Sequence, residues 1–130
     1  MSMTITEVGR KYDLSVDTLR YYERIGLLPP VHRTPSGLRD YDEDDLRWVE
    51  FIKCMRSAGV SIETLVEYVT LFHKGSDTIA ARKALLIEQR QQIQAHIEEL
   101  QTVIARLDRK LDGYEGRMAQ CEGALKKLPD

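Results

Sequence analysis

Between residues 15 and 41 lies a set of side chains suited to gripping a nucleic acid rather than transforming a small molecule. Ser15 and Thr18 stand at the first turn of a helical stretch, where hydroxyls and unpaired N–H groups meet phosphates or base edges. Arg20 and Arg24 are spaced to share one helix face and can reach groove edges or backbone. Tyr21 offers a flat ring with a hydroxyl donor to phosphate, and Arg33, Arg39 and Tyr41 place two cations and a second phenol on the segment that follows. Tyr22 divides between two roles, a contact to the ligand or a core residue packing the helix onto that segment. From Thr18 to Tyr41 these arginines and His32 face only Glu23 and Asp40, so the stretch is basic inside a chain of formal net charge -2. A protein that merely coats phosphates would be basic throughout. A focused contact surface needs only the local excess.

Other chemistries find little to build on. His32, His73 and His96 are scattered, and no Ser–His–Asp, His–Cys or paired-carboxylate arrangement is legible, so neither an enzyme nor a catalytic residue is expected. Cys54 and Cys121 lack CxxC or paired spacing and read as thiols in a reducing cytoplasm, with no metal site and no cofactor. No apolar run is long enough to span a bilayer, and MSMTITEVGRKY lacks the basic start and apolar middle of a signal peptide. The expectation is a cytoplasmic protein without a membrane partner.

The elements that must hold these side chains follow from start and stop signals. Thr4-Ile5-Thr6-Glu7 is a capping box opening a short helix from Ile5 to about Lys11. After Tyr12-Asp13-Leu14, Ser15 caps a second helix, Val16 to Ile25, and Gly26 stands where a left-handed C-cap belongs. Two short helices joined so tightly, the second carrying Arg and Tyr, predict a helix-turn-helix. Residues 27–41, LLPPVHRTPSGLRDY, exclude helix and predict a small hairpin, or wing, with arms Val31–Arg33 and Leu38–Tyr41 around Pro35-Ser36-Gly37. Asp42 caps a third helix, 43–58, and Ser61 a fourth, 62–72. Lys74-Gly75-Ser76 closes a reader domain of residues 1–75.

In the remainder, 76–130, Glu, Gln, Lys, Arg, Leu and Ile dominate, as in long exposed helices. Ile79, Leu86, Ile93, Leu100 and Leu107 recur every seven residues, and Ile97, Ile104 and Leu111 complete a 4-3 seam. One helix from Asp77 to Tyr114 would span roughly 57 Å at about 1.5 Å per residue. It cannot bury its own stripe, so Leu86, Ile93, Ile97, Leu100, Ile104, Leu107 and Leu111 are read as a dimerisation surface, parallel or antiparallel. Gly113, Gly116 and Gly123 then predict a short terminal helix or tail, and Cys121, in register with the seam, reads as a small packing residue. The fold class is mostly α: a winged helix-turn-helix followed by a long dimerising coiled-coil helix.

Leu19-Arg20-Tyr21-Tyr22-Glu23-Arg24-Ile25-Gly26-Leu27, followed by a proline-bearing wing closed by Arg39-Asp40-Tyr41, resembles the MerR family of bacterial transcription regulators. Order and spacing agree across roughly residues 4 to 72, with a coil in the expected place. The resemblance implies a homodimer joined by an antiparallel coiled coil and bound to palindromic double-stranded promoter DNA. It further implies that the protein distorts the DNA to bring promoter elements into register for RNA polymerase. Drug-sensing members carry a large ligand domain after the coil, for which a chain ending at Asp130 leaves no room. Metal-sensing members carry a cysteine pair where this chain has only Cys121, and an iron–sulfur sensor needs a cysteine cluster.

Phe51-Ile52-Lys53-Cys54-Met55-Arg56 resembles the aldehyde- and thiol-stress-responsive NmlR/AdhR branch, which implies that an electrophile is sensed at Cys54. Arg47, Lys53 and Arg56 favour a thiolate there, while the C-terminal end of the helix dipole opposes one. The alternative is a half-buried structural cysteine. Two further alternatives stand: a regulator of this family answering a metal or another small molecule, and a coiled-coil interaction protein that no longer binds DNA. The last would suit the net charge but leaves the concentration of Arg and Tyr unexplained.

Overall fold

A computed structural model describes residues 2–124. Its helices are α1 (Ile5–Tyr12), α2 (Val16–Arg24), α3 (Glu43–Ser57), α4 (Ile62–His73), α5 (Ile79–Leu111) and α6 (Tyr114–Ala124), with a 3-10 turn at Ser76–Thr78. The starts are set by side chains. Thr4 and Glu7 form the reciprocal capping box of α1, and Asp42 does the same with Asp45 for α3. Ser15 and Ser61 accept the N–H of Thr18 and Thr64 at the starts of α2 and α4.

The first compact unit runs to Arg90, and the second begins at Gln91. In the first, α1 packs on α2 and α3. The turn between α1 and α2 is drawn close: Leu14 N–H donates to the Gly9 carbonyl at 2.9 Å. A Cβ on Gly9 would stand 2.6 Å from the Leu14 carbonyl oxygen, so the helix-turn-helix depends on the missing side chain. Asp13 supplies the left-handed residue of that turn, with φ 54°, a conformation that Asp tolerates better than most residues. The core gathers Val8, Leu19, Leu27, Leu28, Tyr41, Val49, Ile52, Leu65 and Val69, each at most 2% exposed. Burial of such side chains is worth about 1.5–3 kcal/mol apiece.

Residues 27–41 are irregular, as the prolines require. The wing is thinner than a hairpin of two strands. Among the described residues the β-pairing is confined to two isolated bridges, Arg33 with Arg39 and Met3 with Tyr41. Its arms are also tied by Asp40 N–H to the His32 carbonyl at 2.7 Å and by Thr34 N–H to the Leu38 carbonyl at 2.8 Å.

The turn at Gly75 (φ 97°) falls where the sequence marks a boundary, yet the first unit continues past it. The reason is local packing. The Thr78 hydroxyl donates to the Leu71 carbonyl at 2.6 Å, and the Arg82 guanidinium sits 5.1 Å from the Phe72 ring centroid. Trp48, Phe51, Tyr68 and Phe72 meet between α3 and α4 around a cavity of about 440 Å³, with the Trp48 and Phe72 ring centroids 5.0 Å apart.

The second unit contains the end of α5 and α6, with Gly113 (φ 66°) at the turn between them. Ile97, Leu100, Ile104, Leu107 and Leu111 are exposed along it, as are Leu86 in the first unit and Val103 outside the 4-3 seam; Ile93 is half-buried. The side chain of Cys121 lies outside the described residues. Among the described residues no helix is long and apolar enough to cross a membrane.

Candidate nucleic-acid interface

Helix α2 displays its polar side chains in an order fixed by its cap. The Ser15 hydroxyl accepts the Thr18 N–H at 3.0 Å and donates to the Thr18 hydroxyl at 2.7 Å, which orients both side chains at the helix start. Leu19 is buried beneath this turn. Arg20 and Arg24 are exposed on the outer side. Arg20 makes a loose 3.6 Å ion pair with Asp17, whose side chain is 95% exposed, so solvent screens that pair and leaves the guanidinium available. The Arg24 guanidinium lies 5.3 Å from the Tyr21 ring centroid, and Tyr21 is 40% exposed. Arg24 and Tyr21 thus form a cation–π pair on the surface. Tyr22 is half-buried, and its carbonyl accepts the N–H groups of Leu27 and Leu28, each at 3.0 Å, which turns the chain out of α2 into the wing.

On the wing, Arg33 is exposed and donates to the Gly37 carbonyl at 2.9 Å, fixing the tip. Arg39 is drawn inward. Its Nε donates to Glu23 Oε1 at 2.7 Å, with the two side chains only 22% and 14% exposed. The second carboxylate oxygen of Glu23 accepts the Val31 N–H at 3.0 Å. Burial pushes the Glu23 carboxyl up, but the bonds from Arg39 and Val31 outweigh it and hold the group below its ordinary value.

Tyr41 requires a correction. Its place in the Arg39-Asp40-Tyr41 closure suggests a phenol reaching phosphate, but the residue is fully buried. Its hydroxyl is shielded and has no hydrogen-bond partner among the described residues. Burial pushes the phenol up to about 12. The backbone explains the inward turn: Tyr41 and Met3 exchange N–H and carbonyl bonds at 2.9 Å, which holds this arm against the N-terminal segment and its ring in the core.

At the other arm, His32 Nδ1 lies 3.0 Å from carboxylate oxygens of both Asp42 and Asp45. The wing is therefore held to α2 by Glu23 and to the start of α3 by the capping acids. Neither Glu23 nor the His32 cluster stands out in the sequence as functional, since acids within a basic stretch read as mere charge dilution. Cys54 is exposed on α3. The adjacent Lys53 ammonium donates to the carbonyl of Tyr12, the last residue of α1, and Arg56 donates to the Val60 carbonyl at 2.8 Å.

The sequence signature described as "MerR HTH family regulatory protein" matches residues 3–71, and that described as "MerR, DNA binding" matches residues 46–110. The HTH-type transcriptional regulator AdhR of Bacillus subtilis is 57% identical over 91 residues, which cover 70% of this chain and 65% of that relative's length. An uncharacterized HTH-type transcriptional regulator of Haemophilus influenzae is 31% identical over 128 residues, covering 98% of this chain and 93% of the relative. Among solved structures, HiNmlR, "a MerR family regulator lacking the sensor domain, bound to promoter DNA", superposes with a TM-score of 0.84 at 31% identity, covering 92% of this chain and 94% of that one. The chain belongs to the MerR family of DNA-binding transcription regulators, on its AdhR/NmlR side.

Proposed function

We propose that this MerR-family regulator binds palindromic promoter DNA as a homodimer, and that each copy grips a half-site with α2 and the wing. One observation carries the reading: Arg20, Tyr21 and Arg24 are exposed together on α2, in a fold that superposes on a regulator solved on promoter DNA. Ser15 and Thr18 contribute hydroxyls at the helix start, Tyr22 orients the chain beneath the contact, and Arg33 reaches the backbone from the wing. Arg39 supports the wing from within. The seam of Leu86, Ile97, Leu100, Ile104, Leu107 and Leu111, exposed in the single chain, together with the half-buried Ile93, is covered by a second copy in an antiparallel coiled coil. Residues 1–75 act as the reader and 76–130 as the dimerising part, in the cytoplasm. The bound dimer bends and untwists the promoter, and the deformation is offset by backbone contacts, changing the alignment of its elements for RNA polymerase.

The signal enters at Cys54. Its thiolate adds to the carbonyl carbon of a small aldehyde; the S–C bond forms as the C=O π pair moves to oxygen, which takes up a proton. The exposure of Cys54 supports access. Its neighbour Lys53 supports transmission, because the ammonium caps the carbonyl that ends α1, directly before the helix-turn-helix turn. Promoter transcription in vitro, with and without a small aldehyde, tests this assignment. Wild-type protein responds and Cys54→Ser binds DNA without responding. Equal responses from both would move the signal elsewhere and leave Cys54 an exposed thiol without a sensing role.

A further inference from the structure

The wing is a slight element to place a DNA contact with any accuracy. Its arms share one isolated bridge, and its tip is closed by Thr34, Gly37 and Leu38. A loop of this kind has little rigidity of its own and takes its direction from what anchors its base. Both arms come down on one carboxylate. Glu23 accepts the Val31 N–H of the first arm at 3.0 Å with Oε2 and the Arg39 Nε of the second at 2.7 Å with Oε1. The carboxylate belongs to α2, in the same turn as Arg20 and Arg24. Both partners are largely shielded from water, at 14% and 22% side-chain exposure, so these are charge-assisted bonds in a low-dielectric setting rather than a screened surface pair.

We infer that Glu23 is the positioning residue that sets the wing against the recognition helix, so that α2 and Arg33 engage one half-site in a fixed register without Glu23 touching DNA. The inference rests on the proposed DNA contact of α2 and the wing and deepens it. It assigns Arg39 a task inside the protein: its guanidinium is spent on Glu23, and Arg33 is the wing cation left on the surface. A carboxylate within a phosphate-binding stretch would ordinarily weaken binding by repulsion. Here the paired charge is neutralised, and what it contributes is direction. Replacing the carboxylate with an amide removes the charge that neutralises Arg39 and leaves one acceptor oxygen where Val31 N–H and Arg39 Nε use two, so the arms can no longer share the anchor.

The test uses full-length dimer and an operator recovered from random-sequence DNA with the wild-type protein. Phosphate-ethylation interference is mapped for wild type, Arg33→Ala, Glu23→Gln and Arg39→Gln, after circular dichroism shows each folded at the assay temperature. Positions lost in Arg33→Ala define the wing footprint. Glu23→Gln should lose those positions, keep those of α2, and bind the operator about tenfold more weakly. Its affinity for unrelated duplex should stay the same or rise, because an acid has been removed. A variant that is merely less stable would weaken all positions and both duplexes together. Arg39→Gln should show the same selective loss in milder form, and the double variant should be no worse than Glu23→Gln. Arg39→Gln also stands in if Glu23→Gln fails to fold. Retention of the Arg33 positions in the folded variants overturns the role of Glu23 and leaves the DNA reading intact. If Arg33→Ala loses no position, the wing contact itself is wrong and the inference falls with it.

Discussion

His32 Nδ1 lies 3.0 Å from Oδ2 of Asp45, a carboxylate only 6% exposed at the start of α3. The Asp45 bond, with the charges of Asp42, Asp45 and Asp44, raises the imidazole above its ordinary value of 6.5. A group whose affinity for protons rises on folding stabilises the fold when protonated. That stabilisation is complete below the unfolded value and is lost as pH climbs through the raised folded one. Asp42 is shifted the opposite way, chiefly by its backbone bond at Asp45, so its contribution is lost only in strong acid, in a separate window. Urea unfolding from pH 5.5 to 8.5 should therefore show wild-type protein losing stability relative to His32→Gln as pH rises. Parallel curves would mean that the His32 contact is not made in solution.

The buried Tyr41 hydroxyl makes a second prediction. An unpartnered buried hydroxyl costs roughly 1–3 kcal/mol. Tyr41→Phe keeps the ring that fills the core and should match or exceed wild type in stability by up to about 1 kcal/mol. Operator affinity should stay within about twofold. A tenfold loss of affinity in a folded variant would return the phenol to the DNA contact.

Gly9 should resist even the smallest enlargement. The obstacle to a Cβ is the Leu14 backbone carbonyl, which cannot swing away as a long side chain would. Gly9→Ala should cost about 1–3 kcal/mol by urea unfolding, although alanine favours helix. Stability equal to wild type would show that the turn can open enough to clear the 2.6 Å approach to Leu14.

Arg20→Ala should weaken operator binding by about 1–3 kcal/mol if it reads a base edge. If it holds phosphate instead, the loss should be uniform across sequences and the salt slope should fall by about one. The dimer should remain intact by sedimentation. Unchanged affinity would remove Arg20 from the contact.

Much of this architecture is legible before any coordinates. Thr4, Ser15, Asp42 and Ser61 mark helix starts because a capping side chain acts within three residues of itself. The helix ends at Gly26 and Gly59 are marked by glycines with positive φ. The exposed residues Arg20, Tyr21 and Arg24 of α2 are legible for a related reason, since helical spacing decides which side chains share a face. The wing is not. Whether Arg39 points outward or pairs inward with Glu23 depends on a contact sixteen residues away in the chain, and Tyr41 is turned into the core by pairing with Met3. Local pattern carries no information about either partner. Gly9 is silent for the same reason: its need arises from the close passage of Leu14 and not from its own helix.

If two copies are joined through the α5 seam, they should read an inverted repeat. Selection from random-sequence duplexes, with stoichiometry measured on the recovered DNA, tests this most directly, using wild type and Leu100→Glu. Palindromes bound by two wild-type chains should be enriched, and Leu100→Glu protein should sediment as a monomer and recover no palindrome. Enrichment of single, asymmetric sites bound by one chain, or palindromes recovered equally well by Leu100→Glu, would contradict a dimer joined this way.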